Sequence, residues 1–528
     1  MNESPAPRPL LTHAGLSLAK VGDPRSLCFE FLPGGHLHAL RAGPVLVNLV
    51  LGCPVAGAMH RLFLRVARPG GGRVHTLIGP AGHARFSASP RAARWEKEAD
   101  GGLALRATLR VAGDGWRLEL EVSNQGSRKV RVQAVHGLDV GLTSPFAARL
   151  NEAYVSQYID HRALPSPRHG FVLASRQNQA VDGKCPWLGQ TCVEGVEGFC
   201  TDAVEFFGTM GHRAAARPLL ADPPRPGRVK QDESSFVALF ATPVALRPGE
   251  SMVRTFVGRY VADHPAPTSD ADAAAVEAQV ELPPPGLDPG GLQPHDAPAT
   301  LLHEPPVLHG RPPTENHLQA FAAAPWHLVE HGAAGVVHSL FHGTDQRHLV
   351  TRAKEEATAR PQGTILRSGS HADADEDTLA TTCYAAGLFN CLTSLGHPSF
   401  HRLLSVPRER CGLRASAGQR LWLGGADGKW HLLGIPSAFE MALTSCRWLY
   451  LVGRRRIVVT TSVGTAAPTA TLAVAVEQGP PARFLVTHGL VAGSNEGDEQ
   501  ASMEIDGTRV TVRPGPETLA ARHFADPH

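Results

Sequence analysis

The densest concentration of groups able to recognise a polar ligand lies between Asn151 and Gln190. Asn151, Glu152, Tyr154, Gln157, Tyr158, Asp160 and His161 stand close together, followed by Arg176, Gln177 and Asn178 and then by Trp187. Two of the chain's five tyrosines and one of its seven tryptophans fall in this span, so aromatic faces gather where amides and carboxylates do. The mixture suits a sugar: amides and carboxylates hydrogen-bond the hydroxyl edges, and flat rings stack on the C–H faces. The same residues serve a plainer purpose equally well, with Tyr154, Tyr158 and Trp187 as core side chains whose polar tips find backbone partners. Composition and spacing leave both readings open.

Other constellations fall away. His36 and His38 would share one face of a strand, a spacing zinc can use, but no third ligand is near and Gly34-Gly35 reads as a turn. The acidic run Asp373, Asp375, Glu376 and Asp377 would need glycine and glutamate where Thr378 and Tyr384 stand if it were a calcium loop, so it reads as a solvated loop. No metal set and no cofactor is assigned. Neither glycine-rich nucleotide loop is present, nor a GxSxG nucleophile elbow.

The elements that must position the block are strands. From Leu103 to Val111 apolar side chains recur at every second position, and after Ala112-Gly113-Asp114-Gly115 they do so again from Trp116 to Val122. A second turn at Asn124-Gln125-Gly126-Ser127 leads to Lys129–Val135, and the three segments are expected to form one antiparallel meander. Residues 265–313 hold twelve prolines and one helical stretch, about Ser269 to Val280, with Ser269 as its cap. Pro283, Pro284 and Pro285 forbid both helix and central strand, so this reads as a linker stiffened by polyproline II. Strands resume at Arg456–Val463, Thr471–Val476 and Arg483–Val486, with a hairpin turning at Asp506-Gly507. The expected fold is all-β: a sandwich over 1–264, a Pro-rich, partly helical linker over 265–314, and a second sandwich over 315–528.

Composition sets the outer bounds. The 528 residues are 42% hydrophobic and 19% charged, ample for packed cores, and 54 glycines with 43 prolines favour turns over long helices. A net charge of +2 points to neither nucleic acid nor an anionic membrane. Nine cysteines include no CxxC pair and read as reduced thiols. Met1 to Pro5 lack a basic, apolar leader and the run Val45–Leu51 is too short to span a bilayer, so a cytoplasmic protein without membrane partners is expected.

The run Asn151–His161, with Ser175–Asn178 and Pro186-Trp187, resembles the front domain of the 1,2-β-oligoglucan phosphorylases, relatives of cellobiose phosphorylase. The resemblance extends upstream through Val47, Asn48, Gly52, Pro54 and Gly57 to Leu62–Arg65. Downstream it runs through Arg360–Gly369, Gly387–Asn390, Leu403–Val406, Gly418–Arg420, Gly434–Met441, Cys446–Trp448, Phe484–His488 and Asn495-Glu496. It implies supersandwich-like β domains that shape a site for a β-linked gluco-oligosaccharide. In the family a carboxylic acid protonates the glycosidic oxygen while inorganic phosphate, the co-substrate, attacks the anomeric carbon; both functions lie in an (α/α) toroid. A toroid would show as a long series of amphipathic helices, and none is expected here. No catalytic residue is therefore carried over; Glu152, Asp160 and Glu440, the carboxylates within family motifs, are expected to be structural or sugar-contacting. The resemblance implies the front portion of such an enzyme, as a split-gene half with a separately encoded toroid, a truncated copy or a decayed one; the alternative is a stand-alone, non-catalytic β-glucan-binding protein.

Overall fold

The computed structural model describes residues 17–522 except 54–56, 68–71, 209–217, 232–233, 283–285, 287–290, 298–299, 304, 359, 370–373, 398–400, 409–410, 492–500, 517 and 519–520. Met1 to Pro5, Pro54, the three prolines from Pro283, Asp373, Asn495 and Glu496, named above, lie outside the described residues.

The chain is all-β and forms two bodies. Period-two burial builds the first: Leu103, Leu105, Ala107, Leu109 and Val111 face Val132, Ala134 and Leu138 across one apolar core. One of its layers is a nine-stranded antiparallel sheet. Its spatial order is Ile159–Ser166, Gly170–Gln177, Trp187–Cys192, Ser251–Val261, Gly115–Asn124, Leu103–Ala112, Ala92–Ala99, Arg85–Ala88 and Gln293–Pro294. Opposite it lies a six-stranded sheet built on Val196–Asp202, Ser235–Ala241, Val130–Asp139, Arg61–Ala67 and Arg73–Ile78, with Val244–Leu246 on Val130–Asp139. A four-stranded sheet from Ala19–Gly22 to Val45–Leu46 closes one side.

The expected meander is corrected here. Leu103–Ala112 and Gly115–Asn124 do form a hairpin, turning on Gly113 at φ +55°. Val130–Asp139, however, crosses to the six-stranded sheet, and Gly115–Asn124 takes Ser251–Val261 as its second neighbour. The Asn124 side chain makes the difference. Its amide nitrogen donates to the carbonyls of Arg128 (2.9 Å) and Leu246 (3.1 Å), and its oxygen accepts from Gly126 N (3.1 Å). The segment is thus pinned as an arch between layers, and Gly126 does not adopt the positive φ of a tight hairpin.

The second body stacks two seven-stranded sheets. One runs Trp326–His331, Val337–His342, Arg347–Thr351, Ala438–Met441, Ser445–Val452, Arg455–Val463 and Ala470–Gln478. The other is built on Val307–Leu308, Trp430–Leu433, Gln419–Gly424, Leu388–Leu395, Leu379–Tyr384 and Gly363–Arg367, with Phe484–His488 on Gln419–Gly424. Phe389, Phe439, Trp448, Tyr450 and Ile457 fill the space between them. The expected hairpin at Asp506-Gly507 is present as Ala501–Asp506 and Arg509–Pro514. No helix among the described residues exceeds nine residues.

The segment read as a free linker is built into both bodies. Ser269 caps as expected, sharing a capping box with Asp272, and Ala273–Glu281 is the helix that follows. That helix lies on the nine-stranded sheet, with Ala273 and Val276 packed on Leu164, Val172, Trp187 and Val257. Gly189 admits it: a Cβ there would stand 2.3 Å from a Val276 methyl. Gln293–Pro294 then becomes the ninth strand, and Val307–Leu308 pairs with Trp430–Leu433 of the second body.

Four imidazoles are walled into the first body. His60 and His136 face each other, Nε2 to Nε2, at 3.2 Å; His161 sits between the hydroxyls of Ser175 and Ser235; His36 packs edge-on against His303. Burial pulls His36, His136 and His161 down to about 3 from 6.5, and His60 well below 6.5. Burial pushes the Asp139 carboxyl the other way, up to about 6 from 3.8. Below pH 6.5 the unfolded chain protonates all four histidines, while in the fold His36, His136 and His161 stay neutral down to about pH 3 and His60 stays neutral well below its ordinary range, which erodes stability. Asp139, and Glu355 of the second body, which burial pushes up to about 7, oppose this with one proton each. Urea unfolding midpoints should therefore fall steadily from about pH 7 to about pH 5; midpoints that hold or rise would contradict this burial.

Candidate functional site

The polar-aromatic block begins on two short helices joined at a sharp corner. Ser144 caps Pro145–Leu150 by accepting from Ala147 N, with Pro145 in the first turn. Asn151 is extended and serves both helices: its N–H closes the first on Ala147 O, and its side chain accepts from Tyr154 N (3.0 Å) to start Glu152–Gln157. The inner face is anchored by Ala148, Val155 and Ser156, whose hydroxyl accepts from Ser235 N. The outer face carries Phe146, Leu150, Tyr154 and Tyr158, four residues apart and 72%, 67%, 46% and 37% exposed. Tyr158 Oη donates to Tyr154 Oη at 3.0 Å, and the rings meet edge to face with centroids 5.0 Å apart. That bond holds the Tyr158 proton and raises its pKa above the usual phenol value.

The second body reaches this corner. Arg408 Nη1 donates to Arg149 O (2.6 Å), and its Nε lies 3.6 Å from Glu152 Oε1. Arg414 donates to Leu51 O (2.7 Å), while Cys411 and Leu413 pack among Leu49, Val50, Met59 and Phe63 of the first body.

Of the residues singled out by sequence, the structure brings Asn151, Glu152, Tyr154, Gln157 and Tyr158 together, with Asp160 just beyond, held by Gln231 Nε2 at 2.9 Å. The others lie elsewhere. Trp187 is 1% exposed beneath the Ala273–Glu281 helix; its Nε1 donates to Thr268 Oγ1 (3.2 Å) and its ring stacks on His264. It offers no face to a ligand, which corrects the stacking role considered for it. His161 is buried between the sheets, and so is Gln177, whose amide donates to Gly141 O (3.0 Å). Arg176 spends its guanidinium on the carbonyls of His264 and Pro265 and on exposed Asn178. Both faces of Gly170–Gln177 are covered, one by the opposing sheet and the other by a helix more than 80 residues further along the chain, which also shelters Trp187. Glu440 lies in the second body, 1% exposed, fixed by His342 (2.9 Å), Arg347 (3.2 Å) and Arg447 (3.2 Å).

Two features were missed. The four-residue spacing of Phe146, Leu150, Tyr154 and Tyr158 was visible and extends the surface upstream. Arg408 had no local signal, being separated from its partners by the whole intervening fold. Among the described residues no cluster of three or more His, Cys, Asp and Glu could hold a metal ion. His36 and His38 engage His303 and the Gly52 carbonyl separately.

Comparison with known proteins places both bodies. Residues 30–257 match the SOGP N-terminal domain and residues 326–528 the glycoside phosphorylase supersandwich domain. The two bodies are thus similar, in order, to domains of the N-terminal region of the glycoside phosphorylases. A curated relative, the 1,2-beta-oligoglucan phosphorylase of Listeria innocua serovar 6a, is 25% identical over 492 residues. That match covers 93% of this chain and 43% of the relative, so the chain spans less than half of that protein's length. Solved structures give slighter likenesses: a polysaccharide lyase (8% identity, 88% of this chain and 46% of the other, TM-score 0.31) and a galactose mutarotase-like protein from Lactobacillus casei ATCC 334 (10%, 46% and 100%, TM-score 0.27). Neither carries an argument.

The two kinds of aromatic residue should separate in stability measurements. Trp187→Ala empties a core position and should cost about 3–5 kcal/mol. Tyr158→Phe removes an exposed hydroxyl and should change stability by less than about 0.5 kcal/mol. Urea unfolding of both variants checks the assignment; a cheap Trp187→Ala would return that ring to the surface.

Proposed function

We propose that this chain is the non-catalytic front portion of a phosphorylase of β-1,2-linked oligoglucans, and that the corner bearing Asn151, Glu152, Tyr154, Gln157 and Tyr158 faces the sugar. The observation that carries the proposal is the in-order match of both bodies to the two phosphorylase domains, over nearly the whole chain, with a 1,2-beta-oligoglucan phosphorylase. The exposed tyrosine pair supports the location, since two rings locked edge to face present both a C–H-binding face and hydroxyls.

The reaction needs a carboxyl that keeps its proton near neutrality and a cationic cradle for phosphate. The carboxylates in family motifs are committed elsewhere: Glu152 to Arg408, Asp160 to Gln231, Glu440 to His342 and two arginines. The acid that protonates the glycosidic oxygen, and the phosphate site, then belong to an (α/α) toroid with which this portion works in the cytoplasm. No described helix is long and apolar enough to cross a membrane. The competing reading, a stand-alone β-glucan-binding protein, draws on the same tyrosines, which are exposed.

The purified chain, given β-1,2-glucan and phosphate, should release no glucose 1-phosphate; release clearly above a blank would refute the non-catalytic assignment. Ligand-observed NMR with a β-1,2-linked glucotriose should detect weak binding that the Tyr154→Ala/Tyr158→Ala double variant abolishes. Equal binding by both proteins would remove the corner from the sugar site. Supplying an (α/α) toroid domain should restore phosphorolysis, whereas binding indifferent to that domain favours the stand-alone protein.

A further inference from the structure

Two turns of helix cannot by themselves fix the angle at which they meet. Pro145–Leu150 and Glu152–Gln157 are six residues each, and Asn151 between them is fully extended (φ −163°, ψ 95°). Short helices draw their order from tertiary contacts rather than from propensity. Phe146 and Leu150 ride on the first helix, Tyr154 on the second and Tyr158 directly after it, so the corner angle sets how Phe146 and Leu150 lie against the tyrosine pair.

One guanidinium spans that corner. Arg408 donates to the carbonyl of Arg149, in the last turn of the first helix, and lies 3.6 Å from the carboxylate of Glu152, in the first turn of the second. Both partners of the ion pair are mostly shielded, at 12% and 13% side-chain exposure, so water and salt weaken the contact less than they would on an open surface. A planar fork suits this task, because it can engage two acceptors at a fixed separation where an ammonium is a single point charge. The base of the fork is also fixed: Cys411 and Leu413 are packed into the first body's apolar cluster, and Arg414 grips Leu51 O.

We infer that Arg408 is a positioning residue by which the second body sets the geometry of the Tyr154–Tyr158 surface on the first. The carbohydrate-facing corner is then a product of both domains, although every residue that would touch sugar belongs to one. The consequence for sugar binding rests on the function proposed above; the effect on the tyrosines does not.

The test uses the full chain and four variants: Arg408→Ala, Arg408→Lys, Glu152→Gln and, as a remote control, Arg455→Ala. Tyrosine ring signals are read by NMR, assigned through Tyr154→Phe and Tyr158→Phe, and β-1,2-linked glucotriose is the ligand. Arg408→Ala should shift both ring signals, return the Tyr158 phenol titration toward its ordinary value and weaken glucotriose roughly five- to tenfold. Arg408→Lys should recover part of each effect, and Arg455→Ala should produce none. Unchanged tyrosine signals in Arg408→Ala would overturn the inference, as would shifted signals with undiminished binding. Should Arg408→Ala fail to fold, Glu152→Gln, which removes the charge and keeps the carbonyl bond, decides by the same ring signals. If even the unmodified chain ignores glucotriose, the sugar reading falls, and the ring shifts alone still decide the role of Arg408.

Discussion

The carboxylate of Asp139 holds the place where everything else meets. It lies fully buried at the end of Val130–Asp139 and accepts from Leu49 N (2.9 Å) and Val50 N (2.7 Å), which no strand satisfies. Buried backbone donors must find partners, and here one acid supplies two at once. The stretch it pins is tied further by Asn48, whose side chain accepts from Leu40 N and donates to Val50 O. On that stretch the second body docks, through Arg414 to Leu51 O and through Cys411 beside Leu49 and Val50. Leu46, just ahead of it, bridges to Thr143, the residue before the cap of the first corner helix. Sheet, seam and corner therefore share one anchor, at the cost of desolvating a carboxyl whose affinity for a proton rises as a result.

Strands were legible because burial alternates along them, and Leu103–Ala112 with Gly115–Asn124 needed no other information. The capped helix after Ser269 was legible for an equally local reason. What local pattern cannot carry is the choice of sheet. Val130–Asp139 alternates as its predecessors do, and only Asn124 reaching to Leu246, far along the chain, directs it across the sandwich. The candidate site divides in the same way. Tyr154 and Trp187 look alike in sequence, each an aromatic residue among polar neighbours, yet one lies open and the other lies under a helix that arrives much later. Exposure is a property of the cover, and the cover is remote.

The two bodies are bound more closely than a chain of separate sandwiches. Beyond the Arg408 and Arg414 contacts, the connecting segment pairs with a sheet of each body. After pairing with Trp430–Leu433 it continues through Gly310 N to Ile435 O and Arg311 N to Leu451 O. Arg352 in turn donates to the Gly310 carbonyl. A surface formed where such bodies meet inherits the rigidity of both, which suits recognition of a ligand built from repeated rigid rings.

Gln293–Pro294, two residues at the rim of the nine-stranded sheet, redraw the boundary of the first body. They cover the free edge of Arg85–Ala88, and a proline there cannot donate to a further strand, so the sheet stops. A fragment cut at residue 264 would lose this edge guard together with the helix that shelters Trp187, leaving an open strand and a bare indole. The unit that can be excised, fused or exchanged intact runs past His295, whose N–H itself returns to Phe86 O. Dissection by sequence similarity alone, ending at residue 257, would yield an adhesive sheet in place of a domain.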